Sequence, residues 1–178
     1  QIARALSGRK SSIKIGVTYS SVDEEFWSEI VSGVEAARNQ LQPFGVELVT
    51  DYSKSFNIED QINSIDRIVN QGVSGIVMTP YYDGSSSIFD EHIPVSIPYI
   101  TVINDTFGGK RLFHIGPDDF AIGSTAARLL SFFVKENSSV VILAPNSISG
   151  ETQQRISGFV SKIKQEPTIT LYRSATGQ

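Results

Sequence analysis

The chain has 178 residues, 40% of them hydrophobic and 19% charged, with a formal net charge of -4. That is enough apolar chain for one ordinary domain or two small lobes with a buried core. It contains no Cys, which excludes a disulfide frame, a thiol nucleophile and a thiolate metal site, and no run of about 18 apolar residues marks a membrane span.

The acidic balance argues against the body of the protein gripping nucleic acid, which needs clustered Lys and Arg. Only the opening QIARALSGRK, with Arg4, Arg9 and Lys10 and no acid, offers a basic segment. No apolar stretch follows it, so it is not a secretory signal.

IKIGVTYS (13–20) alternates and then runs apolar, which predicts a buried strand. DEEFWSEIVSGVEAARNQLQPFG predicts a helix, with Phe26, Ile30, Val34 and Ala37 at helical spacing. Its acids at 23–25 suit the positive end of a helix dipole, and Pro43 and Gly45 end it. VELVTDYS (46–53) is a second strand. NIEDQINSIDRIVNQG is a second helix, with Ile58, Ile62, Ile65 and Val69 on one face and Gly72 past its end. VSGIVMTPY is a third strand, and the polar YYDGSSS after it reads as a loop. A fourth strand follows Pro98 in IPVSIPYITVIND, and KRLFHIGPDD holds a short fifth. DDFAIGSTAARLLSFFVKENSS is a third long helix with an Asp at its N-cap. VVILAPN, SGETQQRISGFVSKIKQEP and TITLYRS (168–174) add a strand, a helix and a last strand.

Strands alternate with helices, and the strands are continuous apolar runs. That predicts an α/β fold with doubly wound parallel sheets. In such sheets ligands sit beyond the carboxyl ends of the strands, so the residues after each strand are the candidates. No G-x-G-x-x-G follows the first strand, and there is no Walker A motif or G-x-S-x-G elbow. His92 and His114 lack metal-ligand spacing, and His114, inside an apolar strand, reads as a packed or rim histidine. Asp118–Asp119 is open to three readings: an acid/base couple, helix caps or ligand contacts. No motif supports an enzyme, a metal or a cofactor.

Five segments in order then resemble one family. IKIGVTYSSVDEEFWSEIVSGVEAARNQ, QGVSGIVMTP, IPYITVIND, IGPDDFAIGSTAARLL and ETQQRISGFVSKI are similar to successive motifs of the lac repressor/periplasmic sugar-binding superfamily. The resemblance implies a two-lobe, type I periplasmic-binding-protein-like architecture that closes around a small ligand. It implies an N-terminal lobe over 12–142, with the chain crossing near VVILAPN, and the start of an incomplete second lobe over 143–178. The opening QIARALSGRK, with 1–11 as hinge remnant and linker, resembles the hinge helix of lac-type transcription repressors. That implies Leu6 as a minor-groove wedge, Ala3 and Arg4 beside it on DNA, and a headpiece that the chain lacks. The partners implied are a small effector, namely a sugar or sugar derivative, operator DNA and a second copy in a cytoplasmic homodimer.

The same resemblance nominates an effector site residue by residue. Phe26 and Trp27 match the aromatic pair that packs on the apolar face of a sugar, with the alternative that one of them is core. Asp118 matches the family's ligand carboxylate, with the alternative of a helix cap. Arg155 matches an arginine whose planar fork can bind adjacent hydroxyls or a carboxylate, with the alternative of a solvated surface residue. Asp105 and Tyr81 follow the fourth and third strands. A solute receptor of the same fold, serving a sugar permease, is the competing function.

Overall fold

The computed structural model describes residues 12–20, 24–53, 57–80, 87–106, 108–144 and 150–174. In chain order they form β1 (Ile13–Ser20), α1 (Glu24–Leu41), a 3-10 turn (Gln42–Phe44), β2 (Val46–Ser53), α2 (Ile58–Val69), β3 (Gly75–Met78), α3 (Ser87–His92), β4 (Tyr99–Val102), β5 (His114–Ile115), α4 (Asp119–Ser131), β6 (Ser139–Leu143), α5 (Gly150–Ile163) and β7 (Thr170–Ser174). The packing divides the chain into two compact units, residues 1–115 and 116–178.

In the first unit, β1 to β5 make one sheet in the order β2-β1-β3-β4-β5, and every pairing is parallel. β1 pairs with β2 along its whole length, from Ile13↔Val46 to Ser20↔Ser53, and with β3 from Ile15↔Gly75 to Thr18↔Met78. The order reverses at β1 and β3, and the carboxyl ends of all five strands share one edge. That is the topology in which a crevice opens at the reversal point.

Alternation along β1 sends its residues to two different covers. Val17 and Tyr19 pack with Trp27, Ile30 and Val34 of α1. Gly16 and Thr18 face α2. A Cβ on Gly16 would run into Cγ2 of Ile68, so glycine lets α2 press onto the strand. Ile65, Ile68, Met78 and Phe89 are fully buried on this side, each worth about 1.5–3 kcal/mol of transfer free energy.

α2 begins at an Asn57 cap, whose side chain accepts from the Asp60 N–H at 2.7 Å. Its inward face changes character along its length. Gln61 and Ser64, near its start, bond the Thr79 carbonyl at 2.7 Å and the Thr18 hydroxyl at 2.9 Å. Ile65 and Ile68, further on, join the apolar core. The buried interior is therefore polar towards the carboxyl edge of the sheet and apolar behind it.

α3 was not legible in the sequence. GSSS reads as loop, yet Ser87 opens a helix that buries Phe89 completely. Six residues are too few for a periodic signal, and the pull comes from the core on which Phe89 lands. A cavity of about 420 Å³ lies on the other face of the sheet, between α1 and residues such as Val17, Val77 and Val102. Its lining is almost wholly apolar.

The second unit holds α4 packed on α5, and β6 paired in parallel with β7 from Ser139↔Thr170 to Leu143↔Ser174. Gly123 and Gly158 explain how closely the helices meet. A Cβ on Gly123 would collide with the Arg155 carbonyl, and one on Gly158 with the Phe120 carbonyl. By its packing the second unit includes α4 and β6, which the resemblance places in a first lobe over 12–142. The contacts part at 115/116 rather than after 142, because α4 finds its closest partner in α5. α4 also ends earlier than its composition suggests. Phe132 and Phe133 leave the helix as turn residues, 75% and 83% exposed.

Gly158→Ala is expected to destabilise the second unit by about 1–3 kcal/mol, since backbone and not a flexible side chain stands in the way. Gly33→Ala, on α1 with open space around it, is expected to be neutral or to stabilise by up to about 1 kcal/mol. Urea unfolding of the two variants checks both.

Candidate functional site

The carboxyl edge of the first sheet gathers the features that could hold a polar ligand. After β4 the chain makes a tight turn. The Asn104 N–H donates to the Val102 carbonyl at 2.8 Å, and Ile103 between them has φ 68°. A β-branched residue at positive φ is a strained arrangement, of the kind that persists only where surroundings over-determine it.

The surroundings do so here. The Ile103 N–H donates to the Ile115 carbonyl at 2.9 Å, and Asn104 Nδ2 donates to the Pro80 carbonyl at 3.1 Å, tying the ends of β3 and β4 together. Asp105 is the anchor of the turn. Its carboxylate accepts from Arg111 Nε and Nη2, both at 2.6 Å, from Thr101 Oγ1 at 2.7 Å and from the Thr106 N–H at 2.8 Å. Since Thr101 gives its one proton to Asp105, the 3.0 Å contact to His114 Nδ1 has the histidine as donor.

Burial pushes the Asp105 carboxyl up, but the bonds from Arg111, Thr101 and Thr106 and the nearby His114 outweigh it and hold it at about 2 against an ordinary 3.8. Asp105 thus stands at the predicted edge, with its oxygens committed to protein donors. Arg111, which makes the two shortest of these bonds, carries no sequence signal, because a six-residue separation across a loop has no periodicity to read.

Rings line the other end of the edge. Trp27 stacks on Tyr19 at 6.0 Å between centroids, and Tyr19 on Tyr52 at 6.2 Å. Trp27 is 7% exposed and belongs to the core beneath α1, whereas Tyr52, which the sequence reading passed over, is 45% exposed. The core alternative therefore describes Trp27. Phe26 lies in α1 with its side chain outside the described residues, as are Tyr81 and the expected DNA-contact residues Ala3, Arg4 and Leu6.

Buried hydroxyls sit along the same edge. Ser53 Oγ ends β2, Thr79 Oγ1 follows β3 and Thr106 Oγ1 follows the strained turn. None of the three has a hydrogen-bond partner among the described residues. Such groups are normally paired, so each is an unbonded polar atom buried behind the ends of β2, β3 and β4.

The second unit carries the remaining candidates. Asp118 caps α4, its side chain accepting from the Ala121 N–H at 2.9 Å, so the cap alternative holds for one of its oxygens. Asp119 accepts from Arg155 Nε at 2.6 Å. Its side chain is 10% exposed, against 50% for the arginine. No group of His, Asp and Glu among the described residues is disposed to hold a metal ion, and no helix among them is long and apolar enough to cross a membrane.

Asp105→Asn is expected to lower stability at neutral pH by about 1.5–3 kcal/mol, the usual range for hydrogen bonds to a charged group. The folded carboxyl titrates below its ordinary value, so its contribution is full above about pH 4 and drains as pH falls from 3.8 towards about 2. The variant should lose that acid-dependent part, and denaturation followed at pH 7, 4 and 2.5 checks it.

Comparison with known proteins agrees with this architecture. The family profile for the periplasmic binding protein domain matches residues 15–178. The ribose import binding protein of Bacillus subtilis strain 168 is 23% identical over 172 residues, which are 95% of this chain and 54% of that protein. The chain thus spans about half the length of the curated relative it matches. A glucose-galactose binding protein from Geobacillus stearothermophilus superposes with a TM-score of 0.70 at 22% identity, over 92% of this chain and 58% of the other. An ABC transporter solute binding protein from Agrobacterium vitis, bound with α-D-tagatopyranose, gives 0.72 at 22% identity, over 93% and 58%. These relatives are named for binding and transport of solutes, not for catalysis, transcription regulation or binding to DNA. The matched profile, over most of the chain, and the parallel β2-β1-β3-β4-β5 sheet lead to one assignment: the chain belongs to the periplasmic binding protein domain family, with its type I α/β fold.

Proposed function

We propose that this chain is the sugar-binding part of a solute receptor that serves an importer. The observation that carries the reading is the carboxyl edge itself, with an exposed tyrosine ring at one end and, at the other, a strained turn braced by Asn104 and Asp105. A monosaccharide presents an apolar C–H face and a rim of hydroxyls, and the exposed Tyr52 ring is a counterpart to the first. The names of the relatives support the sugar class and the transport role.

In the first unit the contact is Tyr52, whose ring stacks on Tyr19 and through it on Trp27, and Phe26 and Tyr81 are candidates by the resemblance alone. In the second unit, taken by itself, the candidates are Arg155 and Asp118. The identity of the sugar lies within the pentoses and hexoses. Catalysis has no part in the reading, which needs only binding and release.

A second reading has one specific observation in its favour. QIARALSGRK resembles the hinge helix of lac-type repressors, which would make the same sugar an effector and a homodimer on operator DNA the output. That segment lies outside the described residues. The coding sequence upstream of Gln1 separates the readings: a helix-turn-helix favours the regulator and a secretion leader the receptor. For the regulator, Leu6→Ala should abolish operator binding and leave sugar binding unchanged.

Calorimetric titration with D-ribose, D-galactose and D-tagatose should give saturable binding of at least one. Arg155→Ala should weaken it about tenfold or more, a loss of about 1.4 kcal/mol. Absence of heat with all three, checked by Trp27 fluorescence, would remove the sugar reading.

A further inference from the structure

We infer that Asp119 is a positioning residue, which holds Arg155 by its Nε so that the two Nη groups meet adjacent hydroxyls of a neutral sugar. The inference rests on the sugar-binding reading above and names the chemistry of one of its contacts.

The two side chains are unequal partners. Asp119 is nearly buried at 10% exposure and Arg155 is half exposed at 50%. A buried carboxylate is fixed by its surroundings, so it orients the arginine and not the reverse. The bond is made at Nε, at 2.6 Å. Nη1 and Nη2 have no partner among the described residues, which leaves four of the five N–H donors for a ligand. Those four lie in one plane at a spacing that suits two neighbouring oxygens.

The backbone beneath the pair is as constrained as the pair itself. Gly123 of α4 lies against the Arg155 carbonyl, and Gly158 of α5 against the Phe120 carbonyl, each without room for a Cβ. Asp119 immediately precedes Phe120, and Arg155 is itself one of the touching residues. Helix contact therefore fixes the separation of the two Cα atoms, and the Asp118 cap fixes the first turn of α4. An arginine that is already held gives up less rotamer freedom when a ligand arrives.

The pair also selects by charge. Asp119 offsets the guanidinium, and Asp118, exposed beside it, adds a second negative group. An unpaired arginine would attract carboxylates and phosphates. This one meets its ligand with its charge already compensated, which suits hydroxyls and disfavours a sugar acid.

The test uses the chain with D-ribose, D-galactose and D-tagatose as neutral probes and D-gluconate as the anionic one. Asp119→Ala should weaken binding of the best neutral sugar at least tenfold, and the double variant with Arg155→Ala should bind no worse than Arg155→Ala alone. Asp119→Asn, which keeps the shape and loses the charge, should move the preference towards D-gluconate and covers the case in which the alanine variant fails to fold. Additive losses, or wild-type affinity and selectivity in the Asp119 variants, would overturn the inference. A second arm needs no ligand. The Arg155 Nε–H resonance should exchange slowly with water in the wild type and quickly in Asp119→Ala and Asp119→Asn. If no neutral sugar binds the wild type, the sugar reading fails by itself, and an exchange rate indifferent to Asp119 then overturns the positioning role.

Discussion

Everything at the candidate site depends on the hydrogen-bond ladder along β1. This strand is paired on both edges, with β2 on one side and β3 on the other. Successive connections from β1 and from β3 therefore lead away in opposite directions, and the strand ends part between them. Because every pairing is parallel, all carboxyl ends reach the same edge. Tyr19, Ser53, Thr79 and the turn after β4 become neighbours at that edge although they are far apart in the chain. The cost of this arrangement is a sheet covered on both faces, and Gly16 lets α2 approach as closely as that requires.

The interior is graded to match. Near the amino ends of the strands α2 turns Ile65 and Ile68 inward. Near the carboxyl ends it turns Gln61 and Ser64 inward, to the Thr79 carbonyl and the Thr18 hydroxyl. Burying a polar group costs stability unless it is bonded, and Gln61 and Ser64 are bonded, so this seam makes a rigid polar floor under the edge. The strained Ile103 turn stands beside it, held by the four bonds into Asp105. Strain is retained there because Asp105 and Asn104 leave the turn no relaxed alternative. The second unit uses a different device for the same end, with backbone contact at two glycines setting the distance across which Asp119 and Arg155 meet.

Much of this was legible beforehand. The continuous apolar strands, the helical spacing of Ile30, Val34 and Ala37, and the motif order from IKIGV to RISGF led to the fold and to the periplasmic-binding-protein superfamily, whereas the expected lac-repressor branch is not what the matched relatives are named for. The cap role of Asp118 was open among the readings of that residue. The roles of Trp27 and Asp105 were less accessible. A tryptophan at the head of a helix has the same sequence signature whether its ring faces a ligand or a strand, and only the position of Tyr19 decides which. An aspartate after a strand looks free until the loop folds back and brings Arg111 to it.

What the amino-acid sequence by itself determined is the set of elements and their type, because periodicity and capping are local and act within a few residues. It also determined that the carboxyl ends of the strands share one edge, since strand direction follows from alternation with helices. The tertiary structure alone decided which side chains at that edge are available. It buried Trp27 and exposed Tyr52, engaged Asp105 with Arg111, left three hydroxyls without a partner among the described residues, joined Asp119 to Arg155 and packed α4 against α5. The reason is the same throughout. A hydrogen bond or a ring contact between residues distant in the chain depends on loop closure and helix packing, and neither leaves a period in the sequence.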